Sequence, residues 1–206
     1  DLRKVLAFPY ILWMIGFTII PLSLIFIYGL TDKSGSFTLS NVLSIFAKDH
    51  FKALLLSIAL SIISTVICLV MAFPLALTLK GKKLNKGSLI VFIFILPMWM
   101  NFLLRTLAWL SLLEKNGIIN TILNFLHLPS LNIINTPAAI VLGMVYNYLP
   151  FMVLPIYNVL EKIDDNTINA ARDLGANTMQ TITKVIIPLS IPGIVSGITM
   201  VFVPAL

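Results

Sequence analysis

Long stretches without a charged residue constrain this chain more than any other feature of its sequence. One of them, residues 53–79, places 27 uncharged positions between Lys52 and Lys80. At about 1.5 Å per residue, a helix of that length exceeds the ~30 Å hydrocarbon core of a bilayer. Composition agrees, because 59% of the 206 residues are apolar, 11% are charged and the mean hydropathy is +1.02. We therefore predict an all-α polytopic membrane protein.

Five apolar runs are long enough to be membrane spans, namely residues 5–31, 53–79, 88–113, 136–160 and 185–206. Serine and threonine recur in the second run mostly three and four residues apart. This spacing favours a face packed against a neighbouring helix, and a face lining a pathway is the alternative. The prolines of the fourth run favour contact with protein rather than lipid. These residues are Ser57, Ser61, Ser64 and Thr65 in the second run, and Pro150 and Pro155 in the fourth.

Arg105 is a charged residue inside a predicted span. Counted from Ser88, it lies about 25 Å along the helix, near one edge of the bilayer. Its side chain either reaches the interface or forms an ion pair with a partner subunit, and both interpretations stay open.

The distribution of positive charge predicts the orientation. Nine of the fourteen Lys and Arg residues lie in segments on one side of the predicted spans and four lie on the other, which puts the N-terminus in the cytoplasm. The fifth span then ends outside, so we expect the chain to be C-terminally incomplete, with a sixth span missing. The inner set is Arg3, Lys4, Lys80, Lys82, Lys83, Lys86, Lys162, Arg172 and Lys184, and the outer set is Lys33, Lys48, Lys52 and Lys115.

The long polar segment at residues 161–187 predicts two short helices joined at Gly175. A glycine just after an apolar position is typical of a left-handed C-cap, and the second helix is predicted to end at Lys184. The candidate N-caps are Asp164 or Asp165 for the first helix and Asn177 or Thr178 for the second.

Small side chains give the first of these helices a face that another surface can approach closely. Ala170, Ala171 and Leu174 form this stripe. We interpret the segment as a docking element for a soluble partner. An amphipathic loop that lies on the membrane without a partner is the alternative.

The same segment resembles the cytoplasmic coupling loop of permeases from binding-protein-dependent ABC importers. In that family the pattern is E-A-A, three residues, G, nine residues and I-x-L-P. Asn169 stands where the family has glutamate, and Val185 and Ile187 keep only the apolar character. The resemblance implies a single permease domain with the type I (MetI-like) fold of six spans. It also implies contact with an ATPase through Asn169, Ala170, Ala171, Asp173, Leu174, Gly175, Ile187 and Pro188.

Longer stretches are similar to the permeases of spermidine/putrescine importers. They are LPMWMNFLLRTLAWLSLLEKNGIIN, TPAAIVLGMVYNYLPFMVLPIY and AARDLGANTMQT. This resemblance implies a bacterial inner-membrane complex with a second permease subunit, two cytoplasmic ATPase subunits and an extracellular or periplasmic polyamine-binding protein. ATP and magnesium would bind in the ATPase, and this chain would hold no cofactor. A permease for another small solute is the alternative.

Catalytic motifs are missing from the sequence. It has no Walker lysine motif, no H-E-x-x-H, no G-x-S-x-G and no pair of acids within a span. An enzyme embedded in the membrane would normally bury ionisable groups between facing helices, and a structural scaffold would not need the coupling pattern. We therefore predict a transport protein rather than an enzyme.

Candidate residues for the substrate pathway follow from the charge of a polyamine. Because the spans contain no acid, aromatic faces are the available attraction for a cation. The alternative is that these aromatic side chains pack between helices or lie in the belt at the membrane interface. The candidates are Trp99, Asn101, Arg105, Tyr146 and Tyr148, with Trp109 as a further aromatic side chain.

Overall fold

The structure is a computed structural model that describes residues 2–32, 34–81 and 96–206, without the side chains of residues 2–6 and 97. Lys82, Lys83 and Lys86, together with the first eight residues of the third predicted span, lie outside these ranges. The chain divides into two compact units, Asp1–Leu56 and Ser57–Leu206.

The described residues are mainly helical. The α-helices are α1 (Leu2–Met14), α2 (Ile20–Gly29), α3 (Ser40–Leu43), α4 (Lys48–Gly81), α5 (Phe102–Leu113), α6 (Ile118–Phe125), α7 (Pro137–Lys162), α8 (Asp165–Asp173), α9 (Thr178–Thr181) and α10 (Ile187–Ala205). A π-helical turn joins α1 to α2 (Ile15–Ile19) and another joins α9 to α10 (Ile182–Ile186). Short 3-10 turns cover Ser44–Phe46 and Leu96–Trp99.

Four helical stretches are long and apolar enough to cross a membrane, and they match four of the five predicted spans. They are Ala7–Gly29, Lys48–Gly81, Pro137–Lys162 and Thr178–Ala205. The third predicted span is described only from Leu96. There a 3-10 turn is separated from α5 by Asn101, which has a non-helical ψ of 132° and accepts the N–H of Leu103 at 2.8 Å. The described part of this span is therefore not one unbroken helix.

Each π-helical turn ends two residues before a proline, Pro21 in the first case and Pro188 in the second. A proline has no N–H for the carbonyl four residues earlier, and its ring crowds that carbonyl. The wider turn, in which the Ile187 N–H bonds to the Ile182 carbonyl, accommodates the ring without ending the helix. The prediction that a helix ends at Lys184 is therefore wrong, because α9, the π turn and α10 form one continuous helix.

The core of the second unit lies between α4, α7 and α10. The hydroxyl of Ser61 donates to the carbonyl of Ala205 at 2.7 Å, and Ser64 and Thr65 are also buried. The predicted packing of this polar face against a neighbouring helix is confirmed. The core side chains are Cys68, Ala72, Ala76, Leu79, Met152, Val153, Ile156, Leu160, Ile186 and Val201.

Two glycines allow α10 to approach α7 closely. A Cβ at Gly193 would lie 2.8 Å from the carbonyl oxygen of Pro155, and a Cβ at Gly197 would lie 2.7 Å from the sulfur of Met152. Glycines four residues apart are typical of helix pairs in membranes, where close backbone approach replaces the hydrophobic driving force. The predicted contact of the proline-containing α7 with protein is confirmed, since Pro150 is also buried.

Asn120 organises the segment that connects α5 to α7. Its amide nitrogen donates to the carbonyls of Glu114 at 3.0 Å and Leu131 at 2.9 Å, and its oxygen accepts the Leu131 N–H at 2.7 Å. The side chain is almost fully buried, so this connection is held by a satisfied polar group.

The loop of the first unit folds back on the end of α2. Thr31 and Phe37 form an isolated antiparallel bridge. The amide nitrogen of Asn41 donates to the carbonyls of Tyr28 at 3.3 Å and Thr31 at 3.1 Å.

Candidate functional site

The polar segment after α7 begins at a corner that Lys80 of α4 holds. The Lys80 ammonium donates to the carbonyl of Ile163 at 2.7 Å and lies 3.8 Å from the carboxylate of Asp165. Asp164 caps α8 by accepting the N–H of Asn166 at 3.0 Å, which confirms one of the two predicted caps. The start of α8 is therefore fixed both to its own chain and to the end of α4.

Gly175 ends α8 in the predicted left-handed conformation, with φ of 87°. Its N–H bonds to the carbonyl of Arg172 at 2.9 Å, and the N–H of Ala176 bonds to the carbonyl of Ala171 at 3.0 Å. This pair of bonds is the Schellman motif, in which the left-handed residue lets the chain reverse direction. The prediction for Gly175 is confirmed.

Asn177 then starts the next helix through a reciprocal capping box with Gln180. The Asn177 oxygen accepts the Gln180 N–H at 2.8 Å, and the Gln180 side chain accepts the Asn177 N–H at 2.9 Å. On either side of the two caps the chain presents apolar side chains outward, Leu174 before them (89% exposed) and Met179 after them (68% exposed). We call Ala170, Ala171, Leu174 and Met179 the exposed corner. Met179 was not among the predicted docking residues.

The other predicted coupling residues are spread over a larger region. Asn169 lines a cavity of about 590 Å³ together with Lys80 and Arg172. Asp173 is exposed at the end of α8. Ile187 and Pro188 lie beyond the π turn at the start of α10, so the structure does not bring them into the exposed corner. Ile187 is half-buried and Pro188 is exposed.

Two of the five predicted pathway residues lie on α7 beside a pair of cavities. The ring of Tyr146 meets the edge of Trp109 at 5.2 Å between centroids. The hydroxyl of Tyr148 donates to the carbonyl of Pro204 at 2.9 Å. A cavity of about 590 Å³ is lined by Trp109 and Tyr148, and an apolar cavity of about 650 Å³ by Trp109 and Tyr146.

The other three predicted pathway residues, Trp99, Asn101 and Arg105, line neither cavity. Trp99 is 73% exposed, and Asn101 serves as the cap of α5. Arg105 is half-buried, and its Nε has no hydrogen-bond partner among the described residues.

Asn147 is a polar residue that the sequence interpretation missed. It lies between the two tyrosines, lines the cavity next to Trp109 and Tyr148, and is only 8% exposed. Its side-chain oxygen is buried without a hydrogen-bond partner in the described part of the chain. The available signal was an amide near the middle of an apolar helix, where polar side chains are costly.

A family comparison matches most of the chain. Residues 40–206 match the model of the family described as "Binding-protein-dependent transport system inner membrane component". The chain belongs to this family. It is therefore a multi-pass permease subunit of an ABC importer in the inner membrane, and its family consists of transport components rather than enzymes.

Individual relatives agree with this assignment. The permease is 36% identical to the spermidine/putrescine transport system permease PotB of Haemophilus influenzae, over 94% of this chain and 71% of the relative. It is 37% identical to PotB of Escherichia coli, over 94% of this chain and 74% of the relative.

A solved structure has the same fold. It is a bacterial alginate ABC transporter in complex with an alginate pentasaccharide-bound periplasmic protein. One of its chains matches this permease with a TM-score of 0.77 at 18% identity, over 94% of this chain and 68% of that one. The type I importer fold predicted from the sequence is confirmed.

Proposed function

We propose that this permease forms half of the translocation pathway of an ATP-driven importer for polyamines such as spermidine and putrescine. The observation that carries the proposal is the similarity to PotB, 36–37% identity over 94% of the chain. Polyamines carry several ammonium groups at neutral pH, because alkyl amines have pKa values near that of lysine, about 10.4. The aromatic rings of Trp109, Tyr146 and Tyr148 beside the two cavities offer faces that attract such cations.

Coupling to ATP hydrolysis takes place through the exposed corner. The exposed apolar side chains of Leu174 and Met179 support a surface that a partner covers, and the caps at Gly175 and Asn177 hold the chain between them in one conformation. The partner is a pair of cytoplasmic ATPase subunits, which bind ATP and magnesium. Residues 161–187 are then the coupling loop, and the N-terminus is cytoplasmic.

The complete importer contains two further components. A second, PotC-like permease subunit supplies the other half of the pathway, including acidic groups, which residues 53–79, 137–160 and 185–206 of this chain lack. A periplasmic binding protein captures the polyamine and delivers it to the outer side of the permease pair.

Reconstitution tests the substrate. The full-length permease is assembled in proteoliposomes with its partner permease and ATPase, and binding protein loaded with radiolabelled spermidine is added on the outer side. We expect ATP-dependent accumulation of label inside, competed by unlabelled putrescine. Accumulation of a different solute but no polyamine would contradict the proposed substrate while leaving the transport function in place.

A charge placed on the exposed corner tests the coupling surface. Leu174→Asp puts a carboxylate on a face that loses its water on docking, so we expect the ATPase to stop co-purifying with the permease. Leu174→Met keeps an apolar side chain of similar volume and should bind the ATPase normally. Equal co-purification of the ATPase with both variants would contradict this assignment of the surface.

A further inference from the structure

The cavity beside α5 and α7 contains a polar group without a protein partner. Asn147, Trp109 and Tyr148 line this space of about 590 Å³. Asn147 is 8% exposed, and its oxygen is a buried acceptor that no described group satisfies. Buried polar groups in proteins are normally hydrogen-bonded, so an exception calls for an absent donor.

Asn147 lies close to the middle of the bilayer. It is ten residues after Pro137, or about 15 Å along a helix that begins at Pro137 and ends at Lys162. An unpaired amide at that depth is costly, because lipid offers no donor or acceptor. Apolar residues would fill the same position at lower cost, and a polar one therefore indicates a function in recognition.

We propose that Asn147 accepts a hydrogen bond from an ammonium group of the polyamine as it passes through this cavity. The inference rests on the proposed polyamine function and assigns a binding residue within it. In the structure the amide oxygen is the enclosed atom, and a 180° turn about the last torsion brings it to the cavity while the nitrogen takes its place. The ammonium then supplies the donor that the protein lacks.

The rest of the cavity suits a cation that must leave again. Trp109 and Tyr148 contribute aromatic rings, and the hydroxyl of Tyr148 is already engaged with Pro204. The volume falls within the range of about 300–1,000 Å³ usual for small-molecule sites. No carboxylate is among the side chains that line it in the described part of the chain. A neutral acceptor with aromatic faces attracts an ammonium group without the tight ion pair that would trap it.

The test compares Asn147→Leu with Asn147→Gln in the complete importer, reconstituted with saturating spermidine-loaded binding protein. Transport is reported as spermidine taken up per ATP hydrolysed. We expect Asn147→Leu to lower this ratio about tenfold or more while ATP hydrolysis remains stimulated by the loaded binding protein. Asn147→Gln keeps a neutral amide acceptor and should stay close to wild type. The control is Asn158→Leu, the same replacement at an exposed position further along α7, and it should leave the ratio unchanged.

The outcomes separate this site from the function on which it rests. If the wild-type importer takes up no spermidine, both the polyamine function and the proposed role of Asn147 are wrong. If wild type takes up spermidine and Asn147→Leu matches it, the function stands and the site is wrong. Loss of subunit assembly in Asn147→Leu would make Asn147 a packing residue and overturn the proposal, as would a defect in Asn147→Gln equal to that of Asn147→Leu.

Discussion

The ammonium group of Lys80 donates a 2.7 Å hydrogen bond to the backbone carbonyl of Ile163. Ile163 is the C-cap residue directly after α7, and α8 begins two residues later. Lys80 therefore connects the end of α4 to the turn between α7 and α8. Its side chain is only 13% exposed, so the contact is shielded from water.

Replacement of Lys80 should uncouple transport. A hydrogen bond from a charged donor contributes about 1.5–3 kcal/mol, and Lys80→Met removes it without changing the exposed corner. We expect the ATPase to co-purify normally and uptake to fall at least several-fold. Lys80→Arg should retain most uptake, and Lys162→Met, at an exposed lysine nearby, is the control. Wild-type uptake per ATP in Lys80→Met would show that the contact between Lys80 and Ile163 does not couple ATP hydrolysis to transport.

Gly175→Val should abolish uptake and leave membrane insertion intact. A Cβ at Gly175 would meet no atom within 4 Å, so the cost comes from the left-handed backbone alone, on the order of 1–2 kcal/mol. Relief of this strain would turn α8 away from its capped position. Gly175→Asn tolerates the left-handed region better and should retain activity. The measurement is ATP-dependent uptake, with co-purification of the ATPase expected to persist in both variants.

Ala171→Asp should release the ATPase. Ala171 is half-buried within the exposed corner. A carboxylate there adds bulk and an unpaired charge to a surface that is desolvated when the ATPase binds. We expect association about a hundredfold weaker or worse in a pull-down from membranes. Ala171→Ser is the conservative control, and undiminished co-purification with Ala171→Asp would contradict the coupling assignment.

The two glycines of α10 should differ in their tolerance of alanine. At Gly193 the new Cβ meets the backbone carbonyl of Pro155, which cannot move without moving α7. At Gly197 it meets the end of the flexible Met152 side chain first. We expect Gly193→Ala to cost about 1–3 kcal/mol and Gly197→Ala clearly less. Thermal unfolding of the purified permease checks the order, and an equal effect of the two changes would argue against this packing.

Thiol labelling checks the orientation. In a Cys68→Ala background, a cysteine replacing Lys115 should react with a membrane-impermeant reagent in intact cells, whereas one replacing Lys162 should be protected until the cells are opened. A cysteine replacing Lys83, which lies outside the described residues, should behave like the one at Lys162. The reverse pattern would invert the proposed topology.

Local chemistry made much of the coupling loop predictable. The acid before α8, the glycine after it and the amide before α9 each act on backbone groups within a few residues. For this reason Asp164, Gly175 and Asn177 could be identified from the sequence. The membrane spans could also be predicted, because the length of an apolar run is a property of the sequence itself.

Features that depend on distant partners were not predictable. Lys80 was counted as one of several basic loop residues, since nothing in its neighbourhood points to Ile163 eighty-three positions later. Asn147 lines a cavity together with residues of α5, which are distant in the sequence. The continuation of the last helix past Pro188 was missed because a proline is as compatible with a helix end as with a π turn.

The π turn at Ile182–Ile186 also sets the rotational phase of the last helix. Buried residues along this helix recur every three or four positions from Ile186 to Ala205, but the step from Thr181 to Ile186 is five. In a regular α-helix the fifth residue would add about 100° of rotation, whereas the wider π turn takes it up within one turn. The capped end at Asn177 and the face that packs on α7 are therefore aligned only because the turn absorbs one residue. Deleting one residue there would shorten the step from Thr181 to Ile186 to four, and a regular α-helix would then keep the same two faces in line.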